Sequence, residues 1–459
     1  MESLELAQRI LMNLPYEPND QQLQVIAALA RFCLPPDRQE RVFLLNGYAG
    51  TGKTSLTGAL VKTLTELHIP AILMAPTGRA AKVFGAYANH PAYTIHRRIY
   101  RHPGLGDSST TVGIVENKYS NAVFIIDEAS MIGGGDERGN SLLEDLIHYV
   151  YSGDNCRLIL LGDTAQLPPV GCPFSPAMNV NVLKTFGLKV TRVTLTETVR
   201  QKARSGILYN ATWLRRAMQM EQLPMPRLFT EKFSDVKVVP GEDLAEMLDT
   251  AYNRDGINET ILITRSNKRA SDFNLAIRGN ILYRETELTA GELLLVSKNN
   301  YYWSSKVKGL DFIANGDVVE VVKVFGMEAK YGYYFADVML AMPDRDVEFE
   351  AKIFMETLSN DTPGLTAERT AELYTRLMKE LNGDLKALKQ NPYFNALQMK
   401  YAYAVTCHKA QGGQWQNVFV DMSYISPDAY GMEFYRWLYT AVSRARSNLY
   451  FINPGMEAE

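Results

Sequence analysis

Arg41-Val42-Phe43-Leu44-Leu45-Asn46-Gly47-Tyr48-Ala49-Gly50-Thr51-Gly52-Lys53-Thr54 joins an apolar run to a glycine-rich turn, and Ser55 to Leu67 continues with helix-like spacing. Strand, turn and helix start in that order aim successive backbone N–H groups and a helix N-terminus at one point, the geometry that cradles a phosphate chain. Glycines at this spacing decide little alone; the Lys53-Thr54 pair and the flanking strand carry the reading. Lys53 would reach the outer phosphates of a nucleoside triphosphate and Thr54 would ligand Mg2+. The rest of the turn, Gly47, Tyr48, Ala49, Gly50, Thr51 and Gly52, and the next residue Ser55 would line that site.

Working outward, the short apolar runs Val42–Leu45, Ala71–Ala75, Ala122–Ile126 and Leu158–Leu161 alternate with helical patterns. Such alternation predicts an α/β unit with a parallel sheet and its ligand at the carboxyl ends of the strands. Thr260–Thr264, Val418–Val420 and Leu449–Ile452 repeat the theme without a second phosphate loop. Between them, Leu293–Val296, Val318–Val322 and Tyr333–Leu340 are β-rich and separated by Asn and Gly turns, which predicts a small β unit. A charged helical stretch, about 367–389, follows, and Pro392 marks the return. The expected organisation is a first unit over 1–190, a second over 191–292 and 400–459, and an insertion over 293–399. Residues 97–120 are polar, rich in Gly, Ser and Thr, and too long for a tight connection, so they are expected to protrude.

The 459 residues predict roughly three compact units. Hydrophobic content of 46% and charged content of 22% fit a soluble globular protein. No run reaches membrane-spanning length and the N-terminus lacks an apolar core, so a cytoplasmic, nucleoid-associated protein without membrane contact is expected. Four cysteines without paired metal spacing predict free thiols. Net charge of −3 excludes a uniformly basic nucleic-acid coat, so any such site must be a local groove.

Val123-Phe124-Ile125-Ile126 ends in Asp127-Glu128-Ala129-Ser130. Hydrolysis needs one acid to hold hydrated Mg2+ and another to deprotonate the attacking water; Asp127 suits the first role and Glu128 the second. The next strand ends in Gly162-Asp163-Thr164-Ala165-Gln166-Leu167-Pro168-Pro169, where Gln166 could sense the terminal phosphate. With Ala75-Pro76-Thr77-Gly78-Arg79-Ala80-Ala81-Lys82 and Thr94-Ile95-His96, this ordered set resembles a superfamily 1 helicase, and within it the 5′-to-3′ branch of RecD-like, Dda-like and PIF-type DNA helicases. Leu195-Thr196-Glu197-Thr198-Val199-Arg200-Gln201 resembles the family's motif IV and Trp437-Leu438-Tyr439-Thr440-Ala441-Val442-Ser443-Arg444-Ala445 its motif VI. The resemblance implies that Arg200 and Arg444 neutralise charge on the transferring phosphoryl group. Asn19-Asp20-Gln21-Gln22 resembles the adenine-sensing Q motif; Gln22 aligns best, Gln21 stays open, and a helix start capped by Asn19 or Asp20 is compatible with either.

Tyr403-Ala404-Val405-Thr406-Cys407-His408-Lys409-Ala410-Gln411-Gly412-Gly413-Gln414-Trp415 resembles motif V, which touches both nucleotide and nucleic acid; Gln414 is assigned to ATP, and Thr406, His408 and Lys409 to the strand. Pro76, Thr77, Arg79, Lys82, Thr94 and His96, with Thr264 and Asn267 of the second unit, match positions that line a single-strand groove. Hydroxyls, amides and cations of this kind hold a sugar–phosphate backbone without reading sequence. The implied fold is two RecA-like P-loop NTPase domains, with a pin at 97–120 in the first and an SH3-like β-barrel carrying Asn315-Gly316-Asp317 in the second. The implied activity is ATP- and Mg2+-dependent movement along single-stranded or forked DNA, by a protein monomeric in solution. RNA–DNA hybrids or G-rich structures remain open as substrates. The alternatives from other classes are a phosphotransferase using the same loop and a non-catalytic nucleic-acid binding module.

Overall fold

The computed structural model describes residues 2–34, 40–101, 113–135, 141–198, 205–307, 310, 313–342, 347–362 and 364–456. Six parallel strands form the first sheet, in the spatial order Ala92–Thr94, Ala71–Ala75, Val123–Ile126, Arg157–Gly162, Arg41–Gly47 and Lys189–Leu195. The chain leaves Arg41–Gly47 for strands beyond Arg157–Gly162 and returns to its other side, so a crevice opens at its carboxyl end. Asn46 pairs with Gly162 there, bringing the phosphate loop level with Asp163. Phe43 and Leu45 face Leu56 and Leu60 of the helix Lys53–Glu66, whereas Val42 and Leu44 share a core with Leu146 and Leu183 on the opposite face. Burial on both faces is why these strands read as unbroken apolar runs. Lys189–Leu195 crosses the expected boundary at 190 and pairs along Arg41–Gly47.

The second sheet is also parallel, ordered Ala404–Thr406, Thr260–Thr264, Trp415–Asp421, Ala445–Ile452 and Val236–Val239. The third is antiparallel, ordered Val347–Phe354, Tyr333–Met342, Val318–Lys330, Leu293–Val296 and Met399–Tyr401. Register shifts at Val321/Lys323 and Val324/Gly326 bend its longest strand. Leu397 N–H donates to Lys352 O at 2.7 Å and Leu397 O accepts from Phe354 N–H at 3.0 Å, which draws the outer edges together into the barrel-like insertion. The helices Ala367–Glu380 and Leu385–Lys389 cover it through Leu373, Leu377 and Leu388, packed on Tyr333, Phe335 and Phe354. Second sheet and barrel share one hydrophobic cluster, running from Ile263 and Val420 to Leu294 and Val319.

At the base of the expected pin, Tyr100–Arg101 pairs antiparallel with Gly113–Ile114. Residues 102–112 lie outside the described residues. Tyr100 donates its hydroxyl to Asp145 Oδ2 at 2.6 Å and the Tyr119 ring packs edge-on against Phe124, so both aromatics are tied to the first unit. Among the described residues no helix is long and apolar enough to cross a membrane.

Candidate nucleotide and strand site

The phosphate loop takes its shape from Gly50 and Gly52, at φ +75° and +80°, where a side chain would be strained. Lys53 begins the following helix and donates its Nζ to Gly47 O at 3.2 Å, folding the ammonium back over the loop. Thr54 and Ser55 are the next two residues of that helix. Gln22 is 1% exposed; its amide nitrogen donates to Thr51 O at 3.0 Å and its amide oxygen accepts from Asn19 N–H at 3.1 Å. Asn19 Oδ1 accepts Gln22 N–H in return, so Asn19 is the helix cap. Gln21 instead clasps the other expected element, accepting from the N–H groups of Thr196 and Glu197 and donating to Thr196 Oγ1. Of the two glutamines, Gln22 braces the loop and Gln21 braces the segment leading to Arg200. Arg200 itself lies outside the described residues.

Asp127 ends the strand Val123–Ile126 and its carboxyl is pushed up to about 6, first by burial and then by the Glu128 carboxylate, against the pull of Lys53 and Arg444. Its Oδ1 accepts Glu128 N–H at 2.8 Å. Glu128 holds φ +51°, a left-handed conformation costing a non-glycine residue on the order of 1–3 kcal/mol. That strain aims a side chain whose Oε2 is buried without a hydrogen-bond partner. Gln166, 6% exposed, likewise leaves Oε1 buried and unpartnered. Such orphaned acceptors fit a site built for a further polar group. Among the described residues no three His, Cys, Asp or Glu converge on a metal position. Mg2+ needs no such cluster beside phosphates, being held by one or two carboxylates and phosphate oxygens, so Asp127 with the Thr54 hydroxyl suits it.

The far wall comes from the helix Met432–Val442 of the second unit. Tyr439 accepts Ala49 N–H at 2.9 Å and donates to Asp163 Oδ2 at 2.6 Å. Burial pushes the Asp163 carboxyl up, against Lys53 and the Tyr439 hydrogen bond. Thr440 Oγ1 accepts Leu167 N–H at 2.8 Å, and Gln411 Nε2 donates to Leu167 O at 2.8 Å. Arg444, 3% exposed, donates to Thr440 O at 3.0 Å, Ser443 Oγ at 2.9 Å and Gly413 O at 3.3 Å, close enough to Asp127 to favour its ionised form. Gln414 is exposed beside it. Tyr48 lies under the guanidinium of Arg215, 4.5 Å from ring centroid to cation, and Arg215 donates to Thr196 O. The roles of Tyr439, Thr440 and Arg215 are invisible in sequence, because each partner lies on an element remote in the chain.

Beside this cleft is a groove of about 520 Å3 into which Pro76, Thr77, Arg79, Lys82, Thr94 and His96 converge from the first unit and His408 and Lys409 from the second. Thr77 and Thr94 also cap helices, accepting the N–H groups of Ala80 and Arg97. Lys409 donates to Asn315 Oδ1 of the barrel, and burial lowers both its pKa and that of His408. Asn299, Asn315, Gln411 and Trp415 are also in the lining, and Arg79 stacks over the Trp415 ring at 3.9 Å. Thr264, Asn267 and Thr406 are not brought into this cavity: the Thr264 hydroxyl is fully buried and donates to Ser266 O, Asn267 is exposed, and Thr406 is half-buried.

Residues 17–224 match the AAA domain family and residues 401–452 the UvrD-like helicase C-terminal domain family. The chain is similar to the ATP-dependent RecD2 DNA helicase of Deinococcus radiodurans, 24% identical over 426 residues that cover 89% of this chain and 46% of that protein. It therefore spans less than half the length of that relative. Similarity to the ATP-dependent DNA helicase dda of Enterobacteria phage T4 is 24% over 446 residues, covering 89% of this chain and 93% of the relative. A solved structure of two coordinating Pif1 helicases at forked double-stranded DNA shares the fold, with TM-score 0.50, 18% identity, and coverage of 95% of this chain and 92% of that one.

Proposed function

We propose that this chain, whose architecture is that of a superfamily 1 helicase, is an ATP hydrolase that moves 5′ to 3′ along single-stranded DNA and separates duplex ahead of it. The observation that carries this reading is the position of Gln411. It lines the groove and also holds Leu167, one residue from Gln166, so strand and nucleotide sites share a wall.

Backbone N–H groups of Gly50 to Thr54 and the Lys53 ammonium bind the phosphates of ATP. Asp127 and Thr54 would hold Mg2+, which would neutralise phosphate charge. Glu128 takes the proton of the attacking water, Gln166 registers the terminal phosphate, and Arg444, with Arg200, stabilises charge spreading over the transferring group. Since Arg444 approaches from outside the phosphate-loop sheet, loss of the terminal phosphate weakens the grip between the sheets and the cleft relaxes. Arg79 and Lys82 on one side and His408 and Lys409 on the other then hold the strand backbone alternately. The expected pin at 97–120, whose base pairs Tyr100–Arg101 with Gly113–Ile114, would meet the duplex. Direction and DNA preference rest on the ordered motifs and on the relatives that are DNA helicases.

The test compares 5′-tailed DNA, 3′-tailed DNA and RNA–DNA hybrid at one salt concentration, with Lys53→Ala as control. ATP-dependent separation of the 5′-tailed duplex is expected, reduced at least ~100-fold in the variant. Separation that requires a 3′ tail would falsify the direction, and full activity in Lys53→Ala would remove the hydrolase reading.

A further inference from the structure

Tyr439 is fully buried, and its hydroxyl is the sole side-chain group seen bonded at once to the phosphate loop and to the Asp163 strand end among the described residues. A phenol has one proton to give; it goes to Asp163 Oδ2, while the oxygen accepts Ala49 N–H. Asp163 completes the arrangement by accepting Ala165 N–H on Oδ1 at 3.0 Å. The next residue, Thr440, holds the same loop further along through Leu167 N–H. Two consecutive residues of one helix thereby fix the helix against both the phosphate loop and the Asp163–Leu167 loop.

Arg444 hangs from the same helix turn, since its Nε donates to Thr440 O and its Nη2 to Ser443 Oγ. Any shift of that turn relative to Ala49 moves the guanidinium by a similar amount. A misplacement of about 1 Å at a reacting group can cost on the order of 100-fold in rate.

We propose that Tyr439 is a positioning residue: its hydroxyl, bridging Ala49 N–H and the Asp163 carboxylate, sets where Arg444 meets the terminal phosphate of ATP. This rests on the hydrolase reading above. The Tyr439 hydroxyl is engaged by Ala49 N–H and Asp163 Oδ2, so it acts through Arg444 and governs turnover rather than nucleotide affinity.

The test is a double-mutant cycle on the full chain: wild type, Tyr439→Phe, Arg444→Ala and the double variant. Strand-stimulated ATPase gives kcat and KM, and a fluorescent non-hydrolysable ATP analogue gives affinity. Tyr439→Phe is expected to lower kcat about 10–100-fold with analogue affinity within roughly threefold of wild type. The double variant should be no slower than Arg444→Ala alone, as for residues that act as a unit. Multiplying losses, unchanged kcat, or a parallel fall in analogue affinity would each overturn the proposal. Should Tyr439→Phe fail to fold, Asp163→Ala cuts the bridge from the other side, and the same non-additivity with Arg444→Ala is required. A wild-type protein that does not hydrolyse ATP with strand present would instead count against the hydrolase reading.

Discussion

At the scale of single residues, the cleft is organised by the cost of keeping carboxylates out of water. Asp127, pushed up to about 6 by burial and by Glu128, must be ionised to hold a divalent cation. The kcat/KM for MgATP, which reports groups of the free enzyme, is therefore expected to fall as pH drops through about 6; a flat profile between pH 5 and 7.5 would contradict this. The sign for stability is opposite. A carboxyl whose folded pKa lies above its unfolded value penalises the fold once ionised, so the penalty is full above about pH 6 and gone below about pH 4. Asp127→Asn should abolish hydrolysis yet raise Tm at pH 8 by roughly 2–5 °C, a gain that shrinks toward pH 4. Melting curves at both pH values without ligand would check it.

At the scale of elements, the contact that shapes the groove floor is between a helix start and a short crossover. Gly412 and Gly413 follow the helix Cys407–Ala410 and press on the N-terminus of Gly78–Ala88. Gly412 holds φ +73° with Ala80 and Thr77 beside it, and a Cβ on Gly413 would lie 2.5 Å from Trp415 Cη2 and 2.9 Å from Arg79 Nε. Gly413→Ala must therefore part the Arg79–Trp415 stack, a contact worth about 1–2 kcal/mol when desolvated. Affinity for a fluorescent single-stranded oligonucleotide is expected to fall about 5–30-fold, since 1.4 kcal/mol is tenfold. Binding equal to wild type would mean that the stack does not shape the groove. The family resemblance pointed to Arg79 as a cation for the strand, through its place in the motif Ala75–Lys82. Its seat on Trp415 was not legible, since cation–π pairing depends on how two remote loops approach.

At the scale of the whole molecule, the second sheet and the barrel behave as one body around a buried charge. Glu292, fully buried, accepts from Arg278 Nε and Nη2 at 2.9 and 2.7 Å and from the Tyr403 hydroxyl at 2.8 Å, with Arg284 at 3.0 Å. Arg278 and Arg284 precede the barrel, Glu292 opens it and Tyr403 follows it, so the cluster spans the joint between insertion and host. Removing one partner of such a cluster leaves uncompensated buried charge at a cost of about 3–5 kcal/mol. Glu292→Ala is expected to lower Tm and to expose barrel and second sheet to proteolysis together. Cleavage confined to the barrel would show that the two are separate folding units.

The sequence by itself determined both parallel units, the β insertion and the phosphate loop, because period-two and helical spacing, glycine turns and the Lys53-Thr54 pair are local properties of the chain. It also marked Asp127, Glu128 and Gln166, and through the family resemblance Arg444, as residues with chemistry to perform. Only the tertiary structure decided who meets whom: Ala49 and Tyr439 are 390 positions apart, and Leu167 and Thr440 are 273 apart. It also left Thr264 outside the groove by burying its hydroxyl against its own backbone. Local patterns specify elements and active groups, but a hydroxyl's donor and acceptor are chosen by the packing of remote elements.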